Sequence, residues 1–172
     1  MAKAGTLPVL ATPTDAIAAF ERDLPKALRN RTLDEAGWRR LDDMTLLVPM
    51  EGLQANGAVD SYLLRLGFAW YPEWPPSTLF VNPKTLAYDK TKDACWLPKI
   101  EGCNEIATHT DYQGHGQLVC CSLTLEFYAV LHGVQPENVW DSQRHNFSAT
   151  INQIEWALKS KFYKGRHAPL PS

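Results

Sequence analysis

The chain has 172 residues, 45% of them apolar, and a formal net charge of −2. This length supports one sizeable core and is too short for two ordinary domains, so we expect a single domain across residues 1–172. The sequence has no dense cluster of lysine and arginine, which argues against nucleic acid or an anionic membrane as a partner and favours a protein or a small molecule.

The first predicted element is an amphipathic helix near the N-terminus. Residues 12–15 have the form of a capping box, and the apolar residues after them recur on one helical face: Ile17, Phe20, Leu24 and Leu28. Pro25 lies within this pattern, and we expect it to kink the helix or end it early because proline removes a backbone donor. A second short helix is predicted around residues 33–41.

Antiparallel strands are predicted next. An apolar run spans residues 44–48, and Asn56-Gly57 is typical of a hairpin turn. Strict alternation then places four side chains on one face of a strand: Tyr62, Leu64, Leu66 and Phe68. Residues 70–76 cannot extend the ladder because three of them are prolines, and another strand is predicted at 78–81.

The segment that follows is harder to interpret. Residues 82–116 are irregular and about three times as long as a usual connection, which favours a functional loop. We interpret residues 117–121 as a strand and the residues from Ser122 as a helix that Gly133 ends. The apolar face of that helix would consist of Leu123, Phe127, Val130 and Val134.

The last predicted element is a helix that packs on the core. It follows an N-cap at Asn146 or Ser148, and its apolar residues step by four, three, four and four: Phe147, Ile151, Ile154, Leu158 and Phe162. Residues 165–172 contain two prolines and little to bury, so we expect a core of about 12–164 and a mobile tail.

The sequence favours a cytoplasmic protein. Residues 1–8 lack the continuous apolar stretch of a secretory signal, and no run approaches membrane-spanning length. The four cysteines are therefore candidates for catalysis, metal binding or burial rather than for disulfides: Cys95, Cys103, Cys120 and Cys121.

Several motifs occur in a recognisable order. Phe68, Tyr71-Pro72, Pro75-Pro76 and Phe80 come first, then His109-Thr110-Asp111, then residues 116–121 with two cysteines, and finally Trp140 before the last helix. This order resembles that of ubiquitin-conjugating enzymes, in which Tyr-Pro and Pro-Pro precede His-Pro-Asn, Gly-x-Ile-Cys and a tryptophan. The resemblance covers residues 44–162.

The resemblance implies an α+β fold with an N-terminal helix, an antiparallel β-meander, an active-site loop and a C-terminal helix. It implies a catalytic Cys120 or Cys121 assisted by His109. The expected partners are a ubiquitin-like protein, an activating enzyme and protein targets, with no cofactor, no metal, no nucleic acid and no membrane. The chain looks like the divergent conjugating enzymes of bacterial operons that also encode activating enzymes and deconjugating peptidases, which implies a role in antiviral defence.

Two features depart from the family pattern. Asp111 replaces the asparagine whose amide supports the oxyanion or the catalytic loop, and an ionised aspartate accepts hydrogen bonds but cannot donate them. By family standards the residues between Phe80 and His109 also contain an insertion. Either another donor replaces the asparagine amide or the chemistry differs.

Several cysteines are candidates for the nucleophile. A thiolate is the reactive form of cysteine, and His109 or His115 could serve as the base. In an extended chain Cys120 and Cys121 point to opposite faces, so one would be the nucleophile and the other would be buried. Both could instead be buried, since free cysteine is among the most buried residues. Cys95 also competes for the role, because it lies at nearly the family's usual distance after Pro75-Pro76 if the insertion follows the active site, and Cys103 is a weaker candidate.

Other functions remain open at this point. Cys103, His109, His115 and Cys120 or Cys121 could form a zinc site, although no Cys-x-x-Cys knuckle occurs. A thiol-dependent or metal-dependent hydrolase and a catalytically inactive scaffold of the same fold are further alternatives. The aromatic stretch 70–74 suits either a binding surface or the core. We assign no role to the acidic residues Glu126, Glu137 and Asp141, because a solvated helix face explains them.

Overall fold

The structure is a computed structural model that describes residues 12–130 and 139–171. Helix α1 spans Pro13–Leu28, with Thr12 as its N-cap and Arg29 in the left-handed conformation at its end. The Thr12 side chain accepts a hydrogen bond from the Asp15 backbone, as the capping pattern predicts. Pro25 lies inside the helix, which continues to Leu28, so the expectation that Pro25 ends it early is wrong. Helix α2 is the single turn Leu33–Ala36.

Four antiparallel strands form the main sheet in the order β1-β2-β3-β4. They span Arg39–Asp42, Thr45–Leu53, Val59–Gly67 and Ser77–Phe80. Strands β2 and β3 pair from Thr45 opposite Gly67 to Leu53 opposite Val59, so the predicted hairpin at Asn56-Gly57 is confirmed. The helix predicted for residues 33–41 is wrong beyond its first turn, because Gly37 takes a left-handed conformation and β1 follows.

Short elements make up the second half of the chain. A 3-10 helix at Ala94–Trp96 precedes β5, Pro98–Ile100, and the hairpin of β6, Ala107–His109, and β7, Leu118–Cys120. Helix α3 spans Leu125–Ala129, which is three residues later than Ser122, and Gly133 and Val134 lie outside the described residues. Helix α4 spans Phe147–Leu158 with the predicted N-cap at Asn146. It ends before Phe162.

The last strand, β8 at Tyr163–Arg166, pairs antiparallel with β5. Gly165 and Arg166 lie in this strand, whereas the sequence placed them in a mobile tail. The physical reason is long-range: Arg166 lies 3.2 Å from the Asp60 carboxylate and donates to the carbonyl oxygens of Cys95 and Ser61. None of these partners is near Arg166 in the sequence.

The core lies between the main sheet and helices α1 and α4. The four side chains predicted to share one face of β3 are all buried: Tyr62, Leu64, Leu66 and Phe68. Phe20 from α1 and Phe147 from α4 lie against Phe68, with ring centroids 4.4 and 5.0 Å away. The predicted α+β class, with an N-terminal helix, a four-stranded antiparallel sheet and a C-terminal helix, is therefore confirmed. In the described ranges, no helix has both the length and the apolar character needed to cross a membrane.

Candidate functional site

The candidate site lies on the β6–β7 hairpin. The pairing sets Ala107 opposite Cys120, Thr108 opposite Val119, and His109 opposite Leu118. Because side chains alternate along a strand, His109 and Cys120 lie on the same face as diagonal neighbours. Thr108 and Val119 point to the other face, where both are buried. The structure therefore brings together two of the three predicted site residues.

The third predicted residue, Cys121, lies on the core side of the chain. It is 3% exposed and belongs to the main apolar cluster, while Cys120 is only partly buried. Alternation along an extended chain predicts this difference in burial between two adjacent cysteines. Burial raises the pKa of both thiols, and for Cys121 the value rises to about 11. Cys121 therefore fills the core, and Cys120 is the candidate nucleophile.

The loop after His109 is held by Asp111. Its carboxylate accepts a hydrogen bond from the Gly116 backbone at 2.9 Å, which closes the loop onto itself. The same carboxylate lies 2.7 Å from the Lys90 ammonium. The Lys90 and Gly116 hydrogen bonds lower the pKa of Asp111, so this group is ionised at neutral pH. Asp111 thus supports the loop as an acceptor.

The long segment before the hairpin contributes a second contact. Tyr88 donates its hydroxyl to the Thr110 carbonyl at 3.1 Å, next to the Lys90–Asp111 ion pair. We call these two contacts, which join residues 88–90 to residues 110–111, the loop brace. The predicted functional loop at 82–116 therefore contains the brace as well as two strands. The sequence analysis missed Tyr88 and Lys90, because their partners lie more than twenty residues away.

The chain after Cys121 is fixed by hydrogen bonds. The Thr124 hydroxyl donates to the carbonyl oxygens of Val119 and Cys121, at 2.8 and 2.9 Å. Glu126 in α3 accepts from the Ser77 hydroxyl at 2.5 Å and from the Thr78 backbone at 2.9 Å. The carboxylate of Glu126 therefore ties α3 to the start of β4. This is a structural role, although the sequence analysis assigned Glu126 none.

The buried face of the hairpin is also anchored. The Thr108 hydroxyl donates to the Pro98 carbonyl at 2.6 Å and accepts from the Ile100 backbone at 3.0 Å. The ring of His167 lies 3.1 Å from the same hydroxyl. Burial lowers the pKa of His167, and the nearby charges of Lys99 and His109 lower it further. Thr108, the residue before His109, is thus anchored to β5 and to the residue after β8.

The two remaining cysteines differ in their access to solvent. Cys95 is 3% exposed, and its carbonyl oxygen accepts a hydrogen bond from Arg166. Cys103 is partly buried in the loop between β5 and β6, and its thiol donates to the Glu105 carboxylate at 2.9 Å. Cys103 and Cys120 are therefore the two cysteines that are partly exposed to solvent.

The zinc alternative gains no support. Within residues 12–130 and 139–171, no group of three or more His, Cys, Asp or Glu side chains is placed to hold a metal ion. His115 is exposed at the tip of the hairpin loop, and Cys121 is buried in the core. The proposed ligands therefore point into different surroundings.

The aromatic stretch 70–74 divides between core and surface. Tyr71 is fully buried, and Trp70 and Trp74 are partly buried, with Trp74 5.0 Å from the Tyr128 ring. Asp141 accepts local hydrogen bonds from Gln143 and Arg144, and Glu137 lies outside the described residues. Within the described residues, none of these groups forms a hydrogen bond to the β6–β7 hairpin.

Scans of family models and searches of curated proteins and solved structures found no match to this chain. The resemblance to ubiquitin-conjugating enzymes stays a hypothesis based on the motifs in residues 44–162. The α+β architecture agrees with this hypothesis, but many unrelated α+β proteins share such an arrangement. The geometry around Cys120 is therefore the main support for a function.

Proposed function

We propose that this protein accepts a ubiquitin-like protein as a thioester on Cys120 from an activating enzyme and passes it to an amine of a target protein. The observation that carries the proposal is the placement of a partly exposed thiol and a histidine on one face of a short hairpin. The neighbouring Cys121 is buried, so only one thiol of the pair meets an incoming partner.

In the first step, the Cys120 thiolate attacks the carbonyl carbon of a thioester that joins the modifier to a cysteine of the activating enzyme. A new carbon–sulfur bond forms and the old one breaks. The activating enzyme leaves as a thiolate, which takes up a proton. No oxidant, reductant or organic cofactor is needed, because one thioester replaces another.

The proposal assigns His109 the role of a base. Burial raises the pKa of Cys120, so the group is a thiol at neutral pH and must lose its proton when the donor arrives. His109 is the diagonal neighbour of Cys120 on the hairpin. An imidazole in that position can accept the thiol proton as the carbonyl carbon approaches.

In the second step, the amine of a target attacks the Cys120 thioester. An amide bond forms, the carbon–sulfur bond breaks, and the amine proton passes to solvent or a nearby base. Asp111 supplies no donor for the oxyanion, because its ionised carboxylate carries no proton and only accepts, as it does from Gly116 and Lys90. Stabilisation of the oxyanion therefore depends on backbone N–H groups or on the partner proteins.

The proposal extends to the biological setting. A conjugating enzyme of this type would act in bacteria, in an operon that contributes to defence against viruses. Neighbouring genes for an adenylating enzyme and a ubiquitin-like protein would support this setting. Genes of unrelated function around it in several genomes would count against it.

The direct test is a thioester assay with a cognate activating enzyme and ubiquitin-like protein, together with ATP. Wild type and Cys121→Ala should form an adduct that disappears with reductant, and Cys120→Ala should form none. His109→Gln should form the adduct more slowly, by roughly a factor of ten to a hundred. Absence of any adduct with an activating enzyme that charges its own cysteine would overturn the proposal and favour an inactive scaffold.

A further inference from the structure

Helix α4 carries an unusual residue on its solvent side. Trp156 is 48% exposed, and Asn152 and Lys159, one turn before it and one turn after it, are exposed on the same face. Tryptophan is highly buried on average in folded proteins. A half-exposed tryptophan in a charged setting is typical of contact surfaces, where tryptophan is enriched among the residues that dominate binding.

The residues after α4 extend this surface. The ring of Phe162 lies 6.0 Å from that of Trp156, and the Lys161 ammonium lies 5.3 Å above the Phe162 ring. Lys164 donates its ammonium to the Lys161 carbonyl at 2.8 Å. We call these five residues the basic aromatic patch: Trp156, Lys159, Lys161, Phe162 and Lys164. Trp156, Phe162, Lys161 and Lys164 have these defined neighbours, and Lys159 lies one turn after Trp156.

The charge of the patch is largely unbalanced. Lys159, Lys161 and Lys164 are all exposed, and within the described residues none of them forms an ion pair. Glu155 precedes Trp156 in the sequence, and Glu101, whose backbone N–H donates to the Phe162 carbonyl, already lies 3.5 Å from Lys99. The patch is therefore positive on a chain whose net charge is −2.

We propose that the basic aromatic patch binds an acidic linear segment of a partner protein. An apolar side chain of the segment would pack on Trp156 and Phe162, and its carboxylates would pair with the lysine ammonium groups. A protein segment fits better than a nucleic acid, because the whole chain is negative and residues 156–164 contain no arginine to bind phosphate by two hydrogen bonds. The proposal does not depend on the function proposed for Cys120.

The test is a binding titration with the full chain and a fluorescent synthetic peptide of alternating aspartate and leucine. We expect Trp156→Ala to weaken binding about tenfold or more and the double change Lys161→Gln, Lys164→Gln to weaken it roughly threefold to tenfold. A control, Lys84→Gln with Lys92→Gln, removes two exposed lysines of another segment, of which Lys92 pairs with Asp89, and should leave binding unchanged. Thermal unfolding of each variant checks that folding is intact.

Several results would overturn the inference. Failure of the acidic peptide to bind, or equal weakening by the control pair, would show that the patch is not a specific site. Tighter binding of a single-stranded oligonucleotide than of the peptide would reverse the choice of partner. Self-association in sedimentation that Trp156→Ala abolishes would identify a second copy of the chain as the occupant.

Discussion

The carboxylate of Asp23 connects α1 to the aromatic core. It is 1% exposed, accepts from the Tyr71 hydroxyl at 2.5 Å, and lies 2.7 and 3.2 Å from the cationic groups of Arg22 and Lys26. Burial alone would raise its pKa, but the hydrogen bonds from these three side chains outweigh burial and lower the pKa to about 2. Asp23 therefore stabilises the fold as an anion.

We expect Asp23→Asn to lower the free energy of unfolding by about 1–3 kcal/mol at neutral pH, because it weakens a buried network. The pKa of Asp23 is depressed in the folded state, so its contribution is present above about pH 4 and is lost as pH falls through about 2. Urea titrations of wild type and Asp23→Asn at several pH values measure this contribution to the free energy of unfolding. The difference between them should shrink in acid, and a constant difference would contradict the account. Tyr71→Phe, which removes one donor, should have a smaller effect.

The two adjacent cysteines differ in their access to solvent, and the pKa of each thiol is raised. Burial raises the pKa of Cys120 and raises that of Cys121 to about 11. Iodoacetamide reacts with thiolates, so we expect slow labelling of Cys120 near pH 7 and a rate that still climbs beyond about pH 9. Cys121 should label only on unfolding. Peptide mass spectrometry after timed labelling measures both rates. A Cys120 rate that levels off below about pH 8 would contradict the raised pKa.

At the scale of elements, β2 and β8 pack closely at Gly52. A Cβ added there would lie 2.8 Å from Cε1 of Tyr163 and closer still to Cζ. The Tyr163 ring cannot easily move away, because its hydroxyl contacts the Tyr62 hydroxyl at 2.6 Å and donates to Asp60. The glycine is therefore required by the approach of a neighbouring side chain.

We expect Gly52→Ala to destabilise the protein by about 1–3 kcal/mol, because the added methyl group overpacks this contact. Gly67→Ala is the matched control, since its Cβ would lie at an ordinary 3.5 Å from the Ser77 Cβ. Denaturant midpoints of the two variants provide the comparison. Equal losses of stability would show that the effect arises from the glycine backbone and not from Tyr163.

The loop brace is the element nearest the candidate site, and Asp111 is its centre. Asp111→Asn keeps an acceptor for Gly116 and loses the charge that attracts Lys90, whereas Asp111→Ala loses both. We expect the alanine variant to form the Cys120 thioester roughly tenfold more slowly than wild type, and the rate of the asparagine variant to fall much less. Thermal unfolding should be little changed, because the Lys90 ion pair is exposed. An alanine variant that forms the thioester as fast as wild type would show that Asp111 does not support the site.

At the scale of the whole molecule, the parts that local periodicity determines could be predicted. The β2–β3 hairpin, the buried face of β3 and the N-caps of α1 and α4 follow from alternation, turn chemistry and capping. The opposite surroundings of Cys120 and Cys121 follow from the alternation of an extended chain in the same way. Each of these signals lies within a few neighbouring residues.

The parts that depend on distant partners could not be predicted. Strand β8 exists because it pairs with β5, more than sixty residues earlier, and because Arg166 reaches Asp60. The loop brace likewise depends on Tyr88 and Lys90 meeting residues twenty or more positions later. The irregular sequence of residues 82–116 and the two prolines in residues 165–172 indicated loops, and only tertiary contacts decide where such loops become ordered.

The central claim is that Cys120 is the thiol that carries the modifier. The most direct measurement uses two single-cysteine chains, one that retains only Cys120 and one that retains only Cys103, the other partly buried cysteine. Each is charged with the activating enzyme, ATP and ubiquitin-like protein, and mass spectrometry locates the adduct. We expect a thioester on the Cys120 chain alone. A thioester on the Cys103 chain, with none on Cys120, would contradict the claim and move the site to the loop between β5 and β6.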